Sequence, residues 1–207
     1  METNVTERLS SLQRQKRQLT VATLVHAAQR GMLEYGLDVT VDDIASLAEV
    51  GRRTVFRHFA TREELLSSAI NSTADELFAA VPQYDGTDWQ QWLTELTREV
   101  HTRTSGAGRF MWELKTRRLP PRLAAAYAEF RRSLQQMYAA TAATLWQAAG
   151  GHGQVPAQLR QTVTAHLSPL FAQAVLLDVD GTPELAAELS ATAIAGTLRE
   201  LLNEPSN

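Results

Sequence analysis

The sequence predicts an all-α protein on three observations. It is rich in Ala, Leu, Gln, Arg and Glu. Its apolar residues recur at helical spacing, and no stretch sustains the alternation of a strand. Capping residues, glycines and prolines mark where the periodic segments start and stop. The expected architecture is an N-terminal three-helix domain followed by a larger helical domain, about nine helices in all.

The first helix is expected over 14–35, where Val21, Leu24, Val25, Ala28 and Met32 keep one apolar face. Gly36 stops it, because glycine tolerates left-handed backbone angles. Thr40 and Asp43 form a capping box for a short helix, 41–48, which buries Ile44, Leu47 and Ala48. After the turn Glu49-Val50-Gly51 comes a second short helix, 52–59, with Val55 and Phe59 facing inward. Thr61 and Glu64 cap a helix that runs to about Ala80, ahead of Pro82. Longer helices follow at 88–104, 109–118, 121–149, 156–179 and 182–203. The helix at 156–179 is expected to bend at Ser168-Pro169, since proline removes a backbone donor.

Composition narrows the function. The chain has 207 residues, 44% hydrophobic and 21% charged, as expected of an ordinary globular protein with a core that needs no staples. Zero cysteines exclude disulfides, thiolate metal sites and a Cys nucleophile. The polar start reads as no signal peptide, and no apolar run could span a bilayer, so a cytoplasmic protein is expected. A net charge of −3 argues against nucleic acid until it is resolved by region. Residues 8–67 hold nine basic and seven acidic groups, a balance of +2 that leaves −5 for the rest. The cations gather at 14–17 and 52–57.

Two short helices joined by a glycine-containing turn and preceded by a packing helix make a helix-turn-helix. Its second helix can enter the major groove of DNA while the first braces it. That second helix offers Arg52, Arg53, Thr54, Phe56 and Arg57 outside its inward face. Arginine can pair bidentately with guanine, and threonine can reach a phosphate or a thymine methyl.

Thr40-Val41-Asp42-Asp43-Ile44-Ala45-Ser46-Leu47-Ala48-Glu49-Val50-Gly51-Arg52-Arg53-Thr54-Val55-Phe56-Arg57-His58-Phe59, followed by Thr61-Arg62-Glu63-Glu64-Leu65-Leu66, resembles the DNA-binding signature of the TetR family of transcriptional regulators. The resemblance covers roughly residues 14–68. It implies a flexible arm at 1–13, a DNA-binding domain at 14–66, and a ligand-binding and dimerisation domain at 67–207. It also implies an Ω-shaped homodimer on a near-palindromic operator, usually as a repressor. By position, Thr40 would touch phosphate, Arg52, Arg53 and Thr54 would open the recognition helix, and Arg57 would lie further along it. His58 would bond backbone or phosphate, and Arg62 takes a slot where the family often has a phosphate-contacting lysine. Lys16 and Phe56 complete the expected DNA-binding set. Three departures from the pattern stand out: Gly51 for a capping serine, Glu49 for a small residue, and Phe56 for tyrosine.

Other signals carry less. Leu176-Leu177-Asp178-Val179-Asp180-Gly181-Thr182 is like the nucleophile motif of haloacid-dehalogenase-like phosphatases, with Asp178 and Asp180 as its carboxylates. That motif ends a strand, whereas helices flank it here. The histidines lack HxxxH or HExxH spacing, so no metal site and no cofactor is expected. A helical interaction module without DNA affinity is the remaining alternative.

All four tryptophans follow residue 88. Trp89, Trp92, Phe110, Met111, Trp112, Tyr127, Phe130, Met137 and His166 are candidates to line a pocket for an apolar or aromatic effector, although such a stripe is ordinary core in most proteins. The polar groups that set specificity stay open among His101, Arg103 and His166. The last helices carry apolar residues on wide faces, so Leu159, Val163, Leu170, Leu189, Ile194 and Leu198 are expected at a two-fold interface.

Overall fold

The computed structural model describes residues 2–203, with side chains from Leu12 onward. The described residues form ten α-helices and no strand. They are α1 (Glu2–Tyr35), α2 (Val41–Leu47), α3 (Arg52–His58), α4 (Arg62–Ala80), α5 (Trp89–Thr104), α6 (Gly108–Thr116), α7 (Pro121–Ala148), α8 (Ala157–His166), α9 (Pro169–Asp178) and α10 (Pro183–Asn203). Residues 2–13, expected as an arm, are the opening turns of α1. The chain divides into two compact units, 1–73 with 118–127 and 74–117 with 128–207, so α7 contributes to both.

The first unit is built on local signals. Gly36 ends α1 at φ 68, a left-handed angle that a side chain would resist. Leu24, Ala28 and Met32 of α1, Ile44 of α2, Val55 of α3, and Leu65, Leu66 and Ile70 of α4 are almost wholly enclosed. Burying each large side chain contributes roughly 1.5–3 kcal/mol before conformational entropy is counted. Gly31 permits the close approach of α1 to the next segment: a Cβ there would stand 2.6 Å from Val39 Cγ2.

In the second unit α10 runs along α5 and α8 and also touches α9, while α6 packs on α9. Leu93, Leu96, Val100, Leu114, Leu145 and Leu167 fill this core. Two expectations change here. The segment expected as one bent helix at 156–179 is two helices. The α8 ladder ends with Leu167 N donating to Val163 O, Pro169 has no N–H to continue it, and Ser168 starts α9 by accepting from Leu170 N on its hydroxyl. The expected interface residues Leu159, Val163, Ile194 and Leu198 are each 0% exposed, so they belong to the protomer's own core. Only half-buried Leu170 and exposed Leu189 of that set reach the surface. On helices apolar around a wide arc, spacing does not say which side the protomer claims.

Asp178 ends α9, Asp180 turns at φ 47, and Gly181 N donates to Val175 O at 3.0 Å. Thr182 then accepts from Leu185 N at 3.3 Å as α10 begins. The phosphatase-like segment is therefore a helix stop and a helix start. No strand precedes it among the described residues.

Candidate nucleic-acid interface

The geometry of α2 and α3 follows from their caps. Thr40 Oγ1 accepts from Asp43 N at 3.1 Å, while Thr40 N donates to Asp43 Oδ2 at 2.8 Å, which closes the capping box. The Thr40 hydroxyl also donates to the same carboxylate at 2.6 Å and, with the backbone bond, holds the Asp43 carboxyl below its usual range. The turn that follows needs a left-handed residue, and Glu49 supplies it at φ 54. That angle explains why a small residue suits this position. Gly51 is extended and caps α3 without a side-chain bond.

Val55 and Phe59 point into the core, 1% and 6% exposed. The opposite surface of α3 carries exposed Arg52, Arg53, Phe56 and Arg57, with Thr54 half-buried beside them. These cations are not equivalent. Arg52 is drawn back to Asp42 at 2.8 Å, and its guanidinium lies 5.4 Å from the centre of the Phe56 ring. Arg53 and Arg57 make no ion pair among the described residues. Two untethered guanidinium forks thus project from a two-turn helix, each with donors suited to a base edge or a phosphate.

Other expected residues take different places. His58 is half-buried, and both of its ring nitrogens are out of solvent without a hydrogen-bond partner. Burial, then Arg57 and Arg17, pushes its pKa down. Of the basic residues at 14–17, Arg17 is the one whose charge reaches His58 at the end of α3. Arg62 turns inward at the start of α4. Its Nε donates to Val39 O at 2.6 Å, and its NH2 group donates to Leu37 O. This ties α4 to the segment that leads into α2. Glu64 accepts from Ala60 N at 2.8 Å and pairs with Arg122 at 3.2 Å, both within the first unit.

The expected effector residues divide in the same way. Trp92, Phe110, Met111 and Phe130 are buried, and Trp89, Met137 and His166 are half-buried in the second unit. Tyr127 belongs to the first unit. Trp112 is 58% exposed, which removes it from any enclosed lining. Trp92 donates from Nε1 to Pro82 O at 2.8 Å and tilts against Tyr84, a local clamp.

A buried polar cluster joins α5, α8, α9 and α10. His101 is 0% exposed, with Nε2 2.8 Å from Ser190 Oγ, and the Ser190 hydroxyl donates to His166 O at 2.9 Å. The rings of His101 and His166 stand 6.0 Å and 4.6 Å from Phe171. In the sequence Phe171 stands only among the apolar residues of the last helices, and nothing there marks Ser190. The available signal was Thr97, His101 and Thr104 recurring at helical spacing inside the buried stripe of α5. Burial pushes the His101 pKa from 6.5 down to about 4. The unfolded chain consequently takes up this proton first as pH falls, and stability present above pH 6.5 is lost on the way down to about 4. The expected loss at pH 5 is about 2 kcal/mol. Urea denaturation at neutral pH and at pH 5 checks it, with His101→Gln expected to show a flatter pH dependence; equal slopes would refute it.

A capped brace helix, a short turn and a second helix bearing free arginines define a helix-turn-helix DNA-binding domain. Residues 24–69 match the model of bacterial regulatory proteins, tetR family. The solved structures similar to the chain extend that likeness to the whole fold. A transcriptional regulator from Rhodococcus sp. Rha1 superposes with a TM-score of 0.65 at 19% identity, over 87% of this chain and 96% of its own. A TetR-family transcriptional regulator from Syntrophomonas wolfei gives 0.65 at 14% identity, over 91% and 99%. FadR from Bacillus subtilis, solved with stearoyl-CoA, gives 0.62 at 13% identity, over 86% and 97%. No curated protein matches the sequence.

Proposed function

We propose that this chain is a ligand-responsive transcriptional repressor that binds a near-palindromic operator as a homodimer and leaves it when a small hydrophobic effector enters the second unit. The observation that carries the reading is α3: Arg53 and Arg57 are exposed and unpaired among the described residues, on a helix whose other side is locked into the core by Val55 and Phe59. Arg52, Thr54, Phe56, Arg17 and Thr40 frame them and supply phosphate and thymine contacts.

For the dimer, the corrected face is the outer side of α10. Leu185 and Leu189 are 37% and 43% exposed, Thr192 is exposed, and a Cβ on Gly196 would meet nothing within 4 Å. These four positions recur at helical spacing, and the small residues among them let a second copy approach closely. The fold shared with FadR, which was solved with stearoyl-CoA, is compatible with an apolar effector.

Footprinting on DNA from the chain's own genomic neighbourhood tests the reading. A protected site with two-fold symmetry is expected, with half-sites one or two helical turns apart, about 34–36 Å per turn. Light scattering should give twice the chain mass. Failure to shift any DNA at low salt would instead support an interaction module.

A further inference from the structure

The His101 cluster has a proton arrangement that can be worked out. A serine hydroxyl has a single proton. Ser190 gives it to His166 O, and a carbonyl can only accept. The Ser190 oxygen must therefore accept from His101 Nε2, which fixes the proton of the neutral ring on Nε2. His101 Nδ1 is then a bare lone pair, buried and without a partner. Nδ1 of His166 is also buried and unpartnered, on a ring 4.6 Å from that of Phe171.

Leaving such acceptors without a protein partner is costly, and a donor that arrives from outside relieves the cost. His166 and Phe171 are only half-buried, so the cluster runs from the enclosed centre toward the surface of its unit. The surroundings restrict which donor fits. Burial keeps the ring neutral, outweighing a hydrogen bond with the His166 backbone that favours the charged form; the His166 ring adds a further push toward neutrality, and no carboxylate contributes. A cation would enter without a counter-charge, and an anion would meet lone pairs instead of donors.

We propose that His101 Nδ1 is the polar anchor of the effector site, and that the effector is an uncharged molecule that donates an O–H or N–H to it while an aromatic or apolar body packs on Phe171. The proposal rests on the ligand-responsive reading above and narrows it to neutral donors. An acyl chain with an anionic head does not meet the requirement at this position.

The probes are 4-hexylphenol and its methyl ether, 4-hexylanisole, which differ by the donor. Binding is read by calorimetry on the full chain, and the histidine ring nitrogens are read by 15N NMR. The phenol is expected to bind about tenfold tighter than the ether and to shift the His101 Nδ1 resonance. In His101→Gln, whose amide nitrogen can still donate to Ser190, the two probes should bind alike, with the fold checked by circular dichroism. Equal binding in the unmodified protein would mean that water already serves Nδ1, and would overturn the proposal. So would no binding of either probe, or a preference that survives in His101→Gln. Operator binding is measured on the same samples. If the phenol preference is missing while operator binding is intact, this site alone falls. A phenol preference without any DNA binding leaves the site standing and removes the regulator.

Discussion

Arg53→Ala lowers operator affinity by about ten- to a hundredfold per half-site and flattens the preference at one base pair, the loss expected of a bidentate guanine contact. The expectation follows from the difference between neighbouring arginines. Arg53 is exposed and unpaired among the described residues, whereas Arg52 is already engaged by Asp42 and Phe56. Moving Arg52 to a base would cost it that pair, so Arg52→Ala should weaken binding less. An exposed pair of this kind is worth only about 0–1 kcal/mol, however, and the difference rests mainly on geometry. Fluorescence anisotropy on the footprinted site, at one fixed salt concentration, measures both variants. If Arg53→Ala binds as the parent does, the base contacts lie elsewhere on α3.

Arg62→Ala has the second large effect, and it acts on the fold. The side chain is 26% exposed and spans the carbonyls of Leu37 and Val39. A hydrogen bond to a charged group contributes about 1.5–3 kcal/mol, and removing the guanidinium leaves two carbonyls without their donor. The first unit should lose about 2–3 kcal/mol and unfold at a lower temperature, as a thermal scan would show. Arg62→Lys should not restore it, because one ammonium cannot reproduce the two-pronged fork. A phosphate contact would behave differently. Removing one lowers the slope of log affinity against log salt by about one without changing the melting temperature. That second pattern would return Arg62 to the DNA-contacting set that the sequence suggested.

How far the sequence could be read depended on how local each cause was. The helix-turn-helix was legible because each of its boundaries is set within four residues. Thr40 with Asp43, Thr61 with Glu64, and Gly36 at φ 68 act on their immediate neighbours. The split between α8 and α9 was half legible, since Pro169 announces a disturbance but not a full stop. Which way Arg62 turns was hidden, because its partners lie 23 and 25 residues upstream. The same holds for Leu159 and Ile194, whose burial depends on α8 meeting α10. The His101–Ser190 bond joins residues 89 apart and left only a faint trace in the spacing of α5.

The interruption at Ser168 has a consequence for motion. Because Pro169 offers no N–H, the backbone ladder of α9 starts afresh on Ser168, with Phe171 N donating to Ser168 O at 3.0 Å. Releasing α9 therefore breaks none of the α8 ladder. The ten residues of α9 thus share no backbone ladder with α8, and a segment bounded in this way is expected to open as its own unit. Its amides should exchange with solvent sooner than those of α10. Such an opening would carry Phe171 away from His101, so under the ligand-responsive reading proposed above the lifetime of α9, more than the width of any fixed channel, would set how fast an effector enters.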